Sequence, residues 1–284
     1  MLGYVANIAA RALVRRRSGL IGVITGDLDE PGTALALSAL DARLADAGWA
    51  LLLASCGKDG TPLAHAQALF GRGVEALVFL GVAIPTELDA VRGMQSLPCV
   101  NMNRTDDTGF AANSGFDHSR AGKLIADFLG QLGHRCLAVV TESHSAIGAL
   151  LGDALRADYV SAGFTLERLN IGEGSVAEGI LKWFTLPNSP TAVICSSDAI
   201  ALAVMHACAC HGIEVPGRLS VVGFGDSPLA RCVTPMLTSV RIPARGAGIA
   251  AAEYLLARLE GRVAIHAELP VKLAVRASTG PLIV

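Results

Sequence analysis

The chain has 284 residues, 52% apolar and 17% charged, which excludes disorder and suits one large domain or two ordinary ones with a sizeable core. Thirty-one glycines beside 5% aromatics indicate an aliphatic α/β interior. No apolar run reaches the roughly 18 residues that cross a bilayer, so no membrane role is expected. The formal net charge of −2 hides an asymmetry: Arg11, Arg15, Arg16 and Arg17 give the first nineteen residues +4, leaving −6 for the remainder. A weakly acidic body does not attract nucleic acid, whereas a basic arm neutralises phosphates locally; charge alone fits an ordinary solvated terminus equally well.

From Leu20 onward, short aliphatic runs alternate with stretches of helical periodicity. Strands are predicted over Leu20 to Thr25, Trp49 to Ser55, Glu75 to Leu80 and Cys99 to Met102. Helices are predicted over Thr33 to Ala47, Thr61 to Gly71 and from near Pro85. After the polar stretch Asn103 to Thr108 the pattern restarts, with helices over Ser119 to Leu132, Leu150 to Ala162, Val176 to Phe184 and Asp198 to His211. Strands accompany them over Cys136 to Thr141, Leu166 to Ile171, Ala192 to Ser196 and Ser220 to Phe224. A strand (Thr238 to Arg241), an Ala-rich helix (Ala244 to Leu259) and a last strand (Glu268 to Ala274) complete the chain. The expected fold class is α/β, with two doubly wound parallel-sheet lobes.

Two such sheets side by side place the carboxyl ends of their strands around a shared cleft, where a small ligand is expected. Polar loops follow the apolar strands at Gly26-Asp27-Leu28-Asp29, Thr141-Glu142-Ser143, Ser196-Ser197-Asp198 and Gly223-Phe224-Gly225-Asp226. For Ser196, Ser197 and Asp198, helix capping is the default reading.

Signatures of catalysis are missing. Gly172, Gly174 and Gly179 do not have dinucleotide-loop spacing, and Gly115 with Gly122-Lys123 and Leu124 fails the phosphate-loop pattern. No Gly-x-Ser-x-Gly elbow is present. Cys208, Cys210 and His211 on one helix point in different directions, so no metal is expected there. His134, between Gly133 and a strand, suits a turn role better than general-base chemistry. A binding protein without a cofactor is therefore expected, not an enzyme. Seven cysteines, mostly in apolar runs, read as reduced core thiols of a cytoplasmic protein, and the arginine run is followed by no cleavage site for export.

Leu2-Gly3-Tyr4-Val5-Ala6-Asn7, followed by Ala10-Arg11-Ala12-Leu13, resembles the hinge segment of the lactose-repressor (LacI/GalR) family of bacterial transcription regulators. Ser18 to Val23, Leu132-Gly133-His134-Arg135 and Thr191 to Cys195 with Asp198 support the resemblance. So do Val215-Pro216, Leu219 to Asp226, Pro235, Leu237-Thr238-Ser239-Val240 and Arg276-Ala277-Ser278-Thr279, in the family's order across nearly the whole chain. Gly-Phe-Gly-Asp with Val240-Arg241-Ile242-Pro243 looks most like the gluconate-repressor branch.

The resemblance implies a periplasmic-binding-protein-like core of type I that dimerises, binds a small effector such as a sugar or sugar acid, and is coupled to operator DNA. It implies a hinge segment and basic arm over 1–19, the remnant of a helix-turn-helix region. One lobe then spans 20–132 with 242–271, and the other 133–241 with 272–284. Asn7, Ala10, Arg11 and Leu13 match DNA-contacting hinge positions, Leu13 being the residue that wedges into the minor groove. Asp27, Arg120, Ser197 and Asp226 match polar cleft positions, and Arg156 is the substitute for an effector-clamping arginine whose place Ala149 takes. Gly32 replaces an aromatic that would stack on a sugar ring. A solute-binding protein of the same architecture without a DNA role is the alternative.

Overall fold

The structure is a computed structural model and describes residues 17–26, 28, 30–56, 61–91, 93–94, 96–102, 112–142, 152–153, 163–171, 176–264 and 267–283. The chain divides into two compact units. The first comprises residues up to Phe116 together with Pro243–Leu269, and the second Asp117–Ile242 with Pro270 onward.

In the first unit, β1 (Leu20–Thr25), β2 (Ala50–Ser55), β3 (Ala76–Leu80), β4 (Cys99–Met102), β5 (Ala112–Gly115) and β11 (Ala267–Glu268) form a six-stranded sheet in the order β11-β5-β4-β3-β1-β2. All its pairings are parallel. Central parallel strands are covered on both faces, which is why β3 is apolar and buried throughout, whereas the edge strand β2 has no fully buried residue. Register places Ile24, Phe79 and Asn101 in one row, and Gly22, Leu77 and Cys99 in another on the same face. That face packs with Ala66 and Leu69 of α2 (Pro62–Gly71). Helices α1 (Pro31–Asp46) and α6 (Ala244–Leu259) pack against one another, and α6 lies on β4 and β5.

In the second unit, β6 (Cys136–Glu142), β7 (Thr165–Ile171), β8 (Ala192–Cys195), β9 (Ser220–Phe224), β10 (Thr238–Arg241) and β12 (Lys272–Ala274) repeat the scheme as β12-β10-β9-β8-β6-β7. Among the described residues of this unit, only the β10–β12 pairing is antiparallel. Helices α4 (Val176–Trp183) and α5 (Asp198–Cys210) share a core with β6 and β8 through Ile180, Trp183, Val193 and Val204. Helix α3 (His118–Gln131) packs on β12.

The structure differs from the sequence-based expectation at several places. The helix expected near Pro85 is a single 3₁₀ turn, Thr86–Ala90. The last strand is two strands, because Pro270 has no N–H to continue the ladder; β11 joins the first sheet and β12 the second. Helix α3, expected in the first lobe, belongs to the second unit, where Leu282 donates its N–H to Leu132 O at 2.8 Å. Cys210 and Cys232 are exposed rather than core residues. Apart from residues 152 and 153, the helix expected over Leu150 to Ala162 lies outside the described residues, as do Asn7, Ala10, Arg11, Leu13, Asp27 and Arg156. Among the described residues no helix is long and apolar enough to cross a membrane.

Candidate functional site

Strand order 2-1-3-4-5 recurs in both sheets, as β2-β1-β3-β4-β5 and β7-β6-β8-β9-β10. Such sheets bind ligands outside their carboxyl ends, where the chain reverses its direction of growth. In the first unit that point lies between β1 and β3, flanked by Thr25-Gly26 and Leu80-Gly81. In the second it lies between β6 and β8, and the loops after β8 and β9 bring the polar side chains.

Ser197 is the N-cap of α5: its hydroxyl accepts the Ile200 N–H at 3.2 Å. The next residue, Asp198, is buried and accepts from Ser227 N at 2.5 Å through Oδ2 and from Ser239 Oγ at 2.5 Å through Oδ1. One carboxylate thus ties the start of α5 to the loop after β9 and to β10. Gly223 makes room for it, since a Cβ there would lie 2.4 Å from Asp198 Oδ1.

Asp226 has φ 50°, in the left-handed region that aspartate tolerates, and its side chain is 1% exposed. Its Oδ1 accepts from Arg276 Nη2, and its Oδ2 accepts from Arg241 Nε at 2.6 Å and Arg231 Nη2 at 3.2 Å. Burial pushes this carboxyl up, but the hydrogen bonds and charges of Arg276, Arg241 and Arg231 outweigh burial and hold it below the usual range. The carboxylate is spent on arginines, so the surface at this loop is that of Arg231 and Arg241, 58% and 52% exposed. Sequence reading finds Asp226 from its place after a strand. The three arginines lie 5, 15 and 50 residues further on and carry no local signal.

Arg120 lies in the first turn of α3, 71% exposed, with its Nε 3.9 Å from Asp117 Oδ2. Asp117 caps α3, accepting Ser119 N at 2.8 Å and Ser119 Oγ at 2.7 Å. Burial opposes its ionisation, and the bonds from Ser119, with the backbone and charge of Arg120, hold its carboxyl below the ordinary value. The buried His118 ring stacks on Phe224, with centroids 6.4 Å apart and planes 9° apart. His118 joins α3 to the end of β9, a contact the sequence does not announce. The structure therefore gathers Ser197 and Asp226 around the Asp198–Ser239 link and sets Arg120 at the head of α3.

A family profile described as a periplasmic binding protein-like domain matches residues 126–279. The HTH-type transcriptional regulator GntR of Pseudomonas aeruginosa is 30% identical over 272 residues, covering 92% of this chain and 78% of that protein. A LacI transcriptional regulator from a Rhodococcus species is structurally similar, with a TM-score of 0.77 at 28% identity, over 92% of this chain and 98% of that one. The lac repressor dimer bound to operator and the anti-inducer ONPF shares the fold, with a TM-score of 0.83 at 23% identity, over 98% and 100% of the two chains.

Proposed function

Because the chain belongs to the LacI/GalR family of bacterial transcription regulators, on the gluconate-repressor side, we propose that its core binds a sugar or sugar acid and that occupancy alters operator affinity. The observation that carries this reading is the cluster of polar residues at the carboxyl ends of β8, β9 and β10, where a doubly wound sheet takes its ligand. Ser197 and Arg120 contact the effector, Asp226 acts by fixing Arg231 and Arg241, and Asp27 and Arg156 complete the set by their position in the family's order. The protein acts as a cytoplasmic homodimer, whose hinge residues Asn7, Ala10, Arg11 and Leu13 contact operator DNA. It performs no catalysis. An effector shifts the regulator only as far as it binds one arrangement better than another.

A thermal-shift screen of sugars and sugar acids tests the reading. At least one compound is expected to raise the melting temperature, and Arg120→Ala to weaken that response with only a small change in the unliganded melt, since its ion pair with Asp117 is largely solvent-exposed. A panel without a binder, or turnover of a compound that binds, contradicts it.

A further inference from the structure

We propose that Glu75 is a positioning residue for operator binding: with the carboxyl end of α6 it forms a dock that fixes the direction in which the basic arm leaves the core. The inference rests on the reading of the first nineteen residues as a DNA-contacting arm and adds the core residue that orients them. Glu75 stands one residue before β3, and its side chain is only 21% exposed. Its Oε1 accepts the Gly19 N–H at 2.9 Å and the Ser18 hydroxyl at 3.3 Å, and its Oε2 lies 3.8 Å from Arg17 Nε. Three consecutive residues at the exit of the arm thus converge on one carboxylate. Arg17 also donates from Nη2 to Leu259 O at 3.2 Å, at the end of α6, where a helix leaves carbonyls unpaired and favours a cation.

The backbone is fixed at the same place. Gly19 has φ 72°, a left-handed conformation that a side chain would strain, and its carbonyl accepts the Ala50 N–H at 2.9 Å. Leu20 donates its N–H to Ser18 Oγ at 3.1 Å, and its carbonyl accepts the Glu75 N–H at 2.9 Å. The ion pair to Arg17, which is 58% exposed, contributes little by itself. The hydrogen bonds from Gly19 and Ser18 to a charged acceptor supply most of the order. A solvated basic tail needs none of these contacts. An arm already held in one direction meets phosphates with less ordering entropy left to lose on binding. Charge alone predicts the opposite sign: Glu75 is a negative group beside an arm of +4, so its removal would strengthen attraction to DNA. A fall in affinity therefore reports positioning.

Fluorescence anisotropy of the full-length protein on an operator selected from genomic fragments tests this. Glu75→Ala is expected to weaken operator binding by at least about 10-fold, the scale of one hydrogen bond to a charged group. The dependence of log Kd on log salt is expected to stay unchanged, since no phosphate contact is removed. Glu75→Gln keeps an acceptor for Gly19 and loses only the charge, so it is expected to fall between wild type and Glu75→Ala, and it carries the test should the alanine variant fail to fold. Affinity equal to or above wild type in both variants overturns the proposal alone. A wild type that binds no operator overturns the reading of the arm and the proposal with it. Limited trypsin digestion of the folded protein gives a reading without DNA: cleavage after Arg17 that is about 10-fold faster in Glu75→Ala supports the dock, and an unchanged rate overturns it.

Discussion

Ser239 Oγ donates to Asp198 Oδ1 at 2.5 Å, and the same oxygen accepts the Asp226 N–H at 3.0 Å. A single hydroxyl therefore connects the acid that anchors α5 to the acid that gathers the arginines. Asp198→Ala would orphan the Ser239 hydroxyl and the Ser227 N–H, both buried. Each lost partner costs about 1–3 kcal/mol, so urea unfolding is expected to show a loss of about 2–6 kcal/mol. A loss below about 0.5 kcal/mol, the range of ordinary surface substitutions, would remove Asp198 from this role.

Gly248 sits where α6 meets α1. A Cβ there would lie 2.2 Å from Ala36 O and 2.9 Å from Leu40 N, backbone atoms that cannot rotate away. Gly248→Ala is expected to lower stability by about 1–3 kcal/mol or more by forcing the helices apart, despite alanine's better helix propensity. Denaturant unfolding measures it, and a stabilised variant would contradict the close approach.

Asp226 carries a pH dependence with a definite sign. Its folded carboxyl titrates below the ordinary 3.8, so its contribution is complete above that value and is lost as pH falls through the lower folded value. Arg276→Gln removes its most buried partner. The expected loss at neutral pH is smaller than the about 3–5 kcal/mol of a fully buried pair, because Arg231 and Arg241 remain. The gap between wild type and variant should narrow as pH drops below 3.8, measured by unfolding across pH. A gap that widens in acid would reverse the assignment.

His134 acts in a different window. Its Nε2 donates to Gly280 O at 3.0 Å and its Nδ1 is 2.9 Å from Thr191 Oγ1. Burial lowers its pKa from 6.5, and the Gly280 carbonyl opposes that shift only partly. The unfolded chain therefore takes up a proton before the folded one, and stability falls as pH drops from 6.5 to the lower folded value. His134→Gln, which keeps a donor for Gly280, should remove this acid-sensitive component in the window that opens as pH falls below 6.5. Parallel wild-type and variant curves across that window would exclude it.

The buried strands were legible because their residues are uniformly aliphatic: β3 and β9 stand out as apolar runs between polar loops. Strand β5, Ala-Asn-Ser-Gly, has no β-branched residue, and its conformation comes from pairing with β4. At the site, Ser197 and Asp226 were visible from their positions after strands. The arginines around Asp226 were not, since partnerships across tens of residues leave no periodic trace.

The central claim is that metabolite occupancy is transmitted to operator binding. Its most direct test is fluorescence anisotropy of the full-length protein on an operator selected from genomic fragments, with and without the most stabilising sugar or sugar acid. The account predicts a change in apparent Kd of about 5- to 150-fold, the usual range of coupling between two sites. An affinity that stays constant while that ligand saturates the protein would contradict it.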